Sequence, residues 1–254
     1  MKAKTRIMKN SILSIVMLIG ALVPFLAAAQ PPDFNDLKIL FADRNYEKLV
    51  KQAEKYTNKE DLAKNPVPYL WMSRGLYEIS LSGTDNANFK NAYKDATSFL
   101  GKAISKDKDG TQLADHREFI DTFQISLARR IVDDISIKDY AKAGVSLMNY
   151  SKVTRNADAG AKYLDGALKF MKGDKGGANP IWLKANEVIA KKPITSMDDW
   201  SDADKLIFKL GIMYTSECYV KAKKLDKAKA LISAYYKFYE EDQEYKTRHD
   251  EIVK

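Results

Sequence analysis

From about residue 33 to residue 240, apolar residues return every three or four positions, and nowhere do they alternate one-in-two over a stretch long enough for a strand. Side chains three and four apart share a helix face, so this pattern restricts the chain to an all-α fold. Phe119, Phe123, Leu127 and Ile131 show it most plainly, four apart on one face. The spacing predicts helices near 33–42, 45–57, 68–82, 88–105, 113–135, 137–153, 157–172, 180–191, 201–223 and 225–250. Local punctuation sets their ends. Asn65-Pro66-Val67-Pro68 breaks the chain before the third helix. Pro180 suits the first turn of a helix, and Ser201-Asp202-Ala203-Asp204 offers a capping hydroxyl followed by acids at the positive helix end. Gly173-Asp174-Lys175-Gly176-Gly177 reads as the most flexible loop of the chain.

The first thirty residues follow a different rule. Lys2, Lys4, Arg6 and Lys9 form a basic start with no acid. An apolar run from Ile12 to Leu26 follows, and Ala27-Ala28-Ala29 ends it with small residues at the positions a signal peptidase reads. Residues 1–29 are therefore expected to be a cleaved signal peptide, with the mature chain 30–254 starting at Gln30. The run is shorter than the roughly 20 residues a spanning helix needs, and no later stretch is long and apolar enough to cross a bilayer. The expected location is outside the cytoplasm, periplasmic or secreted.

Charge and cysteine content narrow the remaining chemistry. The net charge of +8 includes the four basic residues of the leader, so the mature part is near +4. That weakens the case for nucleic acid as a partner, and none is expected. Lysines 221 to 229 alternate with other residues, Asp226 among them, as on a solvated helix face. Cys218 is the only cysteine, so an exported chain of this kind has no internal disulfide and rests on packing. His116 and His249 stand far apart without cysteine companions, and no zinc spacing, phosphate-binding glycine loop or nucleophile elbow is present. Ser105-x-Asp107-x-Asp109-Gly110 has the outline of a calcium loop, but it lacks the acid at its first position and has His116 where the bidentate Glu belongs. No catalytic, cofactor or metal residue is assigned, and an enzyme is not expected.

Four helix starts carry the same pattern: Tyr46-Glu-Lys-Leu49, Tyr93-Lys-Asp-Ala96, Tyr140-Ala-Lys-Ala143 and Leu225-Asp-Lys-Ala228. The first three lie 47 residues apart. Each continues with an apolar residue four and seven positions on: Leu49/Ala53/Tyr56, Ala96/Leu100/Ala103, Ala143/Leu147/Tyr150 and Ala228/Ile232/Tyr235. Trp71-x-x-Arg74-Gly75 and Leu210-Gly211-x-x-Tyr214 add the complementary pattern of a preceding helix. Together these resemble the two helices of a tetratricopeptide repeat (TPR). The period is longer than that family's usual ~34 residues, and most units lack its closing Pro. The residues alone also leave open a helical bundle of unrelated topology.

The resemblance implies a right-handed α-solenoid of antiparallel helical hairpins, about ten helices after the signal peptide. It further implies a scaffold or adaptor whose concave groove presents itself to a peptide or protein partner in the cell envelope. A hydrolase on an all-α scaffold and a self-assembling structural subunit are the other readings. Large aromatics are the residue types that anchor partners. On that ground Trp71, Tyr77, Tyr235, Tyr236 and Tyr239 are the candidate partner-binding residues, with an exposed edge expected at 235–239.

Overall fold

The computed structural model describes residues 33–155 and 158–254. The expected leader, the mature start at Gln30 and the predicted helix start at Asn156-Ala157 lie outside the described residues. Among those described, eleven α-helices and three short 3-10 turns account for the regular structure, with no strand. They are α1 (Asn35–Ala42), α2 (Tyr46–Thr57), α3 (Pro66–Ser82), α4 (Ala92–Lys106), α5 (Arg117–Ser136), α6 (Tyr140–Tyr150), α7 (Asp158–Met171), α8 (Lys175–Lys191), α9 (Asp202–Lys221), α10 (Leu225–Ala234) and α11 (Gln243–Val253).

Five of the eleven helix starts carry a side-chain cap. The Asn65 side chain accepts the Val67 N–H at 2.9 Å, and Pro66 and Pro68 occupy the first turn of α3, where a missing N–H costs nothing. Ser201 likewise accepts the Asp204 N–H at 3.1 Å at the start of α9.

Two sequence expectations need correction. The glycine-rich segment 173–177 is a loop only at Gly173 and Asp174, and Lys175-Gly176-Gly177 are helical. Asp174 accepts the Gly177 N–H at 2.8 Å, and α8 begins at Lys175. Pro180 therefore lies inside α8, where its ring forfeits only one bond, near the exposed helix start. The predicted final helix over 225–250 is also two helices. α10 stops at Ala234, a 3-10 turn covers Tyr236–Phe238, and Asp242 caps α11 by accepting the Tyr245 N–H.

One turn recurs four times. At the ends of α1, α5, α7 and α9, residues Arg44, Lys138, Gly173 and Lys223 take positive φ of 55°, 59°, 94° and 58°. Each of these N–H groups bonds back three residues, and the next N–H bonds back five, as with Lys138 to Ile135 O and Asp139 to Asp134 O. This is the Schellman closure. The following helix starts within two residues, so α1–α2, α5–α6, α7–α8 and α9–α10 are four hairpins built on one connection. The α3–α4 link is longer and turns at Gly83 instead.

The patterned residues point inward. Leu49, Ala96, Ala143 and Ala228 are all completely buried, as are Ala53, Leu100 and Ile232 behind them. α8 carries the same inner face in Ala178, Trp182 and Ala185, but Lys175 holds the place of the large residue and hides the match in the sequence.

Residues 36–254 form one compact unit with two cores. One core gathers residues from α2 to α6 with Leu164 of α7 and Ile207 of α9. The other gathers Tyr163, Trp182, Phe208, Ile212, Ile232, Tyr245 and Ile252 from α7 to α11. α7 and α9 serve both cores from opposite faces. They approach so closely that a side-chain carbon on Gly211 would stand 2.5 Å from the Gly160 carbonyl oxygen. Gly75 of the Trp-x-x-Arg-Gly segment has the same role, facing Leu49, Val50 and the Tyr46 carbonyl of α2. Each fully buried Leu, Ile or Phe in these cores contributes about 1.5–3 kcal/mol.

Candidate functional site

α8 rests on α7, and α10 rests on α9. Between α8 and α10 the surface opens into a groove of about 620 Å³. Tyr163 of α7 and Tyr219 of α9 lie beneath it, both buried, and its open surface is made by Leu183, Asn186, Ala230 and Ala234. Trp182, Leu183 and Asn186 line one wall, and Leu231, Ala234 and Tyr235 line the other.

Packing beneath the groove fixes these rings. The Trp182 indole N–H donates to the Tyr163 carbonyl at 3.2 Å, and the Thr215 hydroxyl donates to the same oxygen at 2.9 Å. One carbonyl of α7 thus holds side chains from α8 and α9. The Trp182 and Tyr219 rings meet with centroids 4.8 Å apart, and Tyr235 stands edge-on to Phe208 at 4.9 Å. The Tyr163 hydroxyl donates to Asn186 Oδ1 at 2.5 Å.

Burial raises the phenol pKa values of Tyr163, Tyr219 and Tyr235 above the ordinary tyrosine value. The tyrosines under the groove therefore stay neutral; the groove is apolar at the centre, with amide groups from Asn179 and Asn186 at the rim and Lys227 at one end. Leu183 at the lip is 61% exposed and extends the apolar lining to the groove's edge. Rigid rings, preset rotamers and a few rim amides are what a site for an apolar or aromatic side chain requires.

Of the five aromatics singled out in the sequence, only Tyr235 reaches this groove. Trp71 is buried, with its ring 5.6 Å from Phe41 and 5.5 Å from His116. Tyr77 is buried against Phe119 and Phe123, so both residues fasten α3 to its neighbours. The exposed edge expected at 235–239 is corrected in the same way. Tyr239 is buried and its hydroxyl donates to the Lys205 carbonyl at 2.9 Å, while the half-buried Tyr236 stacks on His249 at 4.3 Å. The chain breaks its helix at Tyr235, and that break turns these rings inward. Tyr163, Trp182 and Tyr219, which the sequence reading did not select, supply the rest of the groove.

A second cleft, of about 410 Å³, brings Asp107, Asp121 and Asp204 together with Arg117 and Arg155. Its two most buried acids are already engaged. Asp107 accepts the Gln112 and Leu113 N–H groups and pairs with Arg155 at 3.1 Å, so the loop that outlined a calcium site closes on an arginine instead. Asp204 accepts from the Tyr150 and Thr154 hydroxyls, both at 2.5 Å. Asp121 is held above the usual carboxylate range, chiefly by burial and further by Asp204 and Asp202, with Arg117 opposing.

The Cys218 thiol is fully buried, which pushes its pKa up to about 12 and leaves it inert near neutrality. Among the described residues no helix is long and apolar enough to cross a membrane. Comparison with protein-family models, with curated proteins and with solved structures gave no match.

Proposed function

We propose that this protein is an exported binding scaffold, built of TPR-like helical hairpins in a right-handed α-solenoid, that holds a peptide segment of a protein partner outside the cytoplasm. The observation that carries the reading is the groove between α8 and α10. The aromatic base beneath it is locked by the shared Tyr163 carbonyl, and its lip exposes Leu183. A rigid, largely apolar trough on a helical framework recognises shape and apolar character without chemical change to what it holds.

Four hairpins with one turn geometry, and the buried small-residue pattern at the second helix of each unit, support the repeat architecture. The basic start, apolar run and Ala-x-Ala of residues 1–29 support export. The hydrolase reading would need paired carboxylates free to act. In the acidic cleft, Asp107 and Asp204 are both engaged by donors of the fold.

The test is selection of displayed peptides on the purified protein, followed by titration of the selected peptides into the protein and into Ala230→Arg. Ala230 is exposed and lines the groove, so the arginine fills it without touching the core. Apolar or aromatic peptides that bind the protein and lose at least about tenfold with the variant, the loss of one anchor contact, support the reading. Equal binding to both, or no selected peptide, refutes it.

A further inference from the structure

The far end of the same groove has a charge character that its centre lacks. A second hollow, of about 360 Å³, shares Trp182 and Asn179 with the groove and is lined by Lys175, Lys221, Lys223 and Lys224, while Lys227 lines the groove beside it. All five lysines are exposed. Among the described residues none of them is in an ion pair, and the one ring contact is Lys175 over Phe170 at 5.6 Å. Three acids lie close in sequence. The half-buried Glu217, one turn before Lys221 on α9, pairs with Arg248 at 2.9 Å and also attracts Lys221. Asp174 is engaged in capping α8, and the exposed Asp226 sits in the first turn of α10.

Helix stability explains only part of this cluster. Lys221 and Lys223 end α9, where the negative end of the helix favours a cation. Lys175 is the first residue of α8, Lys224 is the N-cap of α10, and Lys227 is in its first turn. Those three lie at positive helix ends, where a lysine is disfavoured and an anion is welcome. Gathering five like charges at one end also costs self-repulsion. A cationic pocket made against local helix preference, and continuous with an apolar trough, is complementary to an anion attached to an apolar residue.

We infer that the segment bound in this groove is acidic: an apolar or aromatic residue seats between Leu183 and Leu231, over the buried Trp182 and Tyr235, and neighbouring carboxylates of the same peptide meet Lys175, Lys224 and Lys227. The inference rests on the groove being a peptide site, and adds the chemistry of what it takes.

Two labelled peptides with the same Phe-Leu-Phe core test it by fluorescence anisotropy, one flanked by glutamates and one by glutamines. The glutamate peptide binds at least about tenfold more tightly in low salt, as several rim charges acting together allow, and the difference shrinks when salt is raised. The Lys175→Gln/Lys224→Gln variant, changed only in the adjoining hollow, loses most of the preference while keeping its affinity for the glutamine peptide. Equal, salt-insensitive binding of both peptides overturns the inference and leaves the groove reading standing. Binding of neither peptide removes both. Lysine-dependent binding to phosphatidylglycerol vesicles, without a preference between the peptides, overturns it in favour of a membrane surface.

Discussion

The Trp182 indole occupies the space that a side chain at Gly166 would need: a side-chain carbon there would stand 2.4 Å from Trp182 Nε1. Gly166 is on α7 and Trp182 on α8, so the absence of a methyl on one helix sets the depth of the aromatic wall on the other.

This contact predicts the cost of the smallest change. Gly166→Ala gives α7 a better helix former, worth about 0.8–1 kcal/mol. The new methyl collides with a rigid ring that donates to Tyr163 O, and overpacking of this kind costs about 1–3 kcal/mol. The expected net effect is a lower urea midpoint and a red-shifted Trp emission as the indole is pushed outward. A stabilised variant with unchanged emission would show that the indole does not depend on the gap.

The buried hydroxyl–carboxylate pair joining α6 to α9 gives a second prediction. Tyr150 OH donates to Asp204 Oδ1 at 2.5 Å, and both residues are almost wholly buried. Tyr150→Phe keeps the packing and removes one donor to a charged, desolvated acceptor, which costs about 1.5–3 kcal/mol. Tyr163→Phe removes a bond to the exposed Asn186, which water can replace, and is expected to cost under about 1 kcal/mol. Urea unfolding of the two variants compares them directly. Equal costs would mean that the Asp204 pair is no more demanding than an ordinary surface hydrogen bond.

These two contacts also mark where the sequence could be read and where it could not. The helix starts at Asn65-Pro66 and Ser201 were legible because a cap is a local signal, complete within four residues. The repeat was legible at Ala96, Ala143 and Ala228 because a small buried residue recurs after a large one. It was hidden in α8, where Lys175 stands in the large position and glycines imitate a loop. The groove was not legible at all. Tyr163, Trp182, Tyr219 and Tyr235 come from four helices, and only packing brings them together. Local aromatic density pointed to Tyr236 and Tyr239, but the helix break at Tyr235 gives them other neighbours.

The repeated turn predicts unusual tolerance for glycine. Lys138 and Arg44 are exposed and hold φ near 55–59°, a conformation that costs a side-chain-bearing residue about 1–2 kcal/mol. Glycine there relieves that strain but adds freedom to the unfolded chain. Lys138→Gly and Arg44→Gly are therefore each expected to stabilise by about 0.5–1 kcal/mol. Gly173→Ala, at φ 94°, is expected to destabilise by a similar amount. Thermal melts of the three variants test the pattern, and destabilisation by both glycine substitutions would contradict it.

The proposed export makes a prediction of its own. Protein recovered from outside the cytoplasm should have the intact mass of residues 30–254, with Gln30 at its N-terminus. Recovery of the full-length chain from a membrane fraction would replace the cleaved leader with an anchor.

The buried tyrosines predict how the fold fails in alkali. Tyr93, Tyr150, Tyr163, Tyr214, Tyr219, Tyr235, Tyr239 and Tyr245 all have phenol pKa values raised above 10.0, with burial the leading cause in each. In the unfolded chain the same phenols ionise near pH 10. Above that pH the unfolded state has released protons that the folded state still holds, so raising the pH favours unfolding. The stabilisation from buried neutral phenols is thus intact below about pH 10 and declines as the pH rises toward the folded values. The urea midpoint should hold up to about pH 10 and fall as the pH rises above it. The main rise in phenolate absorbance near 295 nm should coincide with loss of helical circular dichroism, because these eight rings ionise only once released. Phenolate absorbance that reaches its full amplitude while the helix signal is intact would mean that the tyrosines are open to solvent in the folded protein.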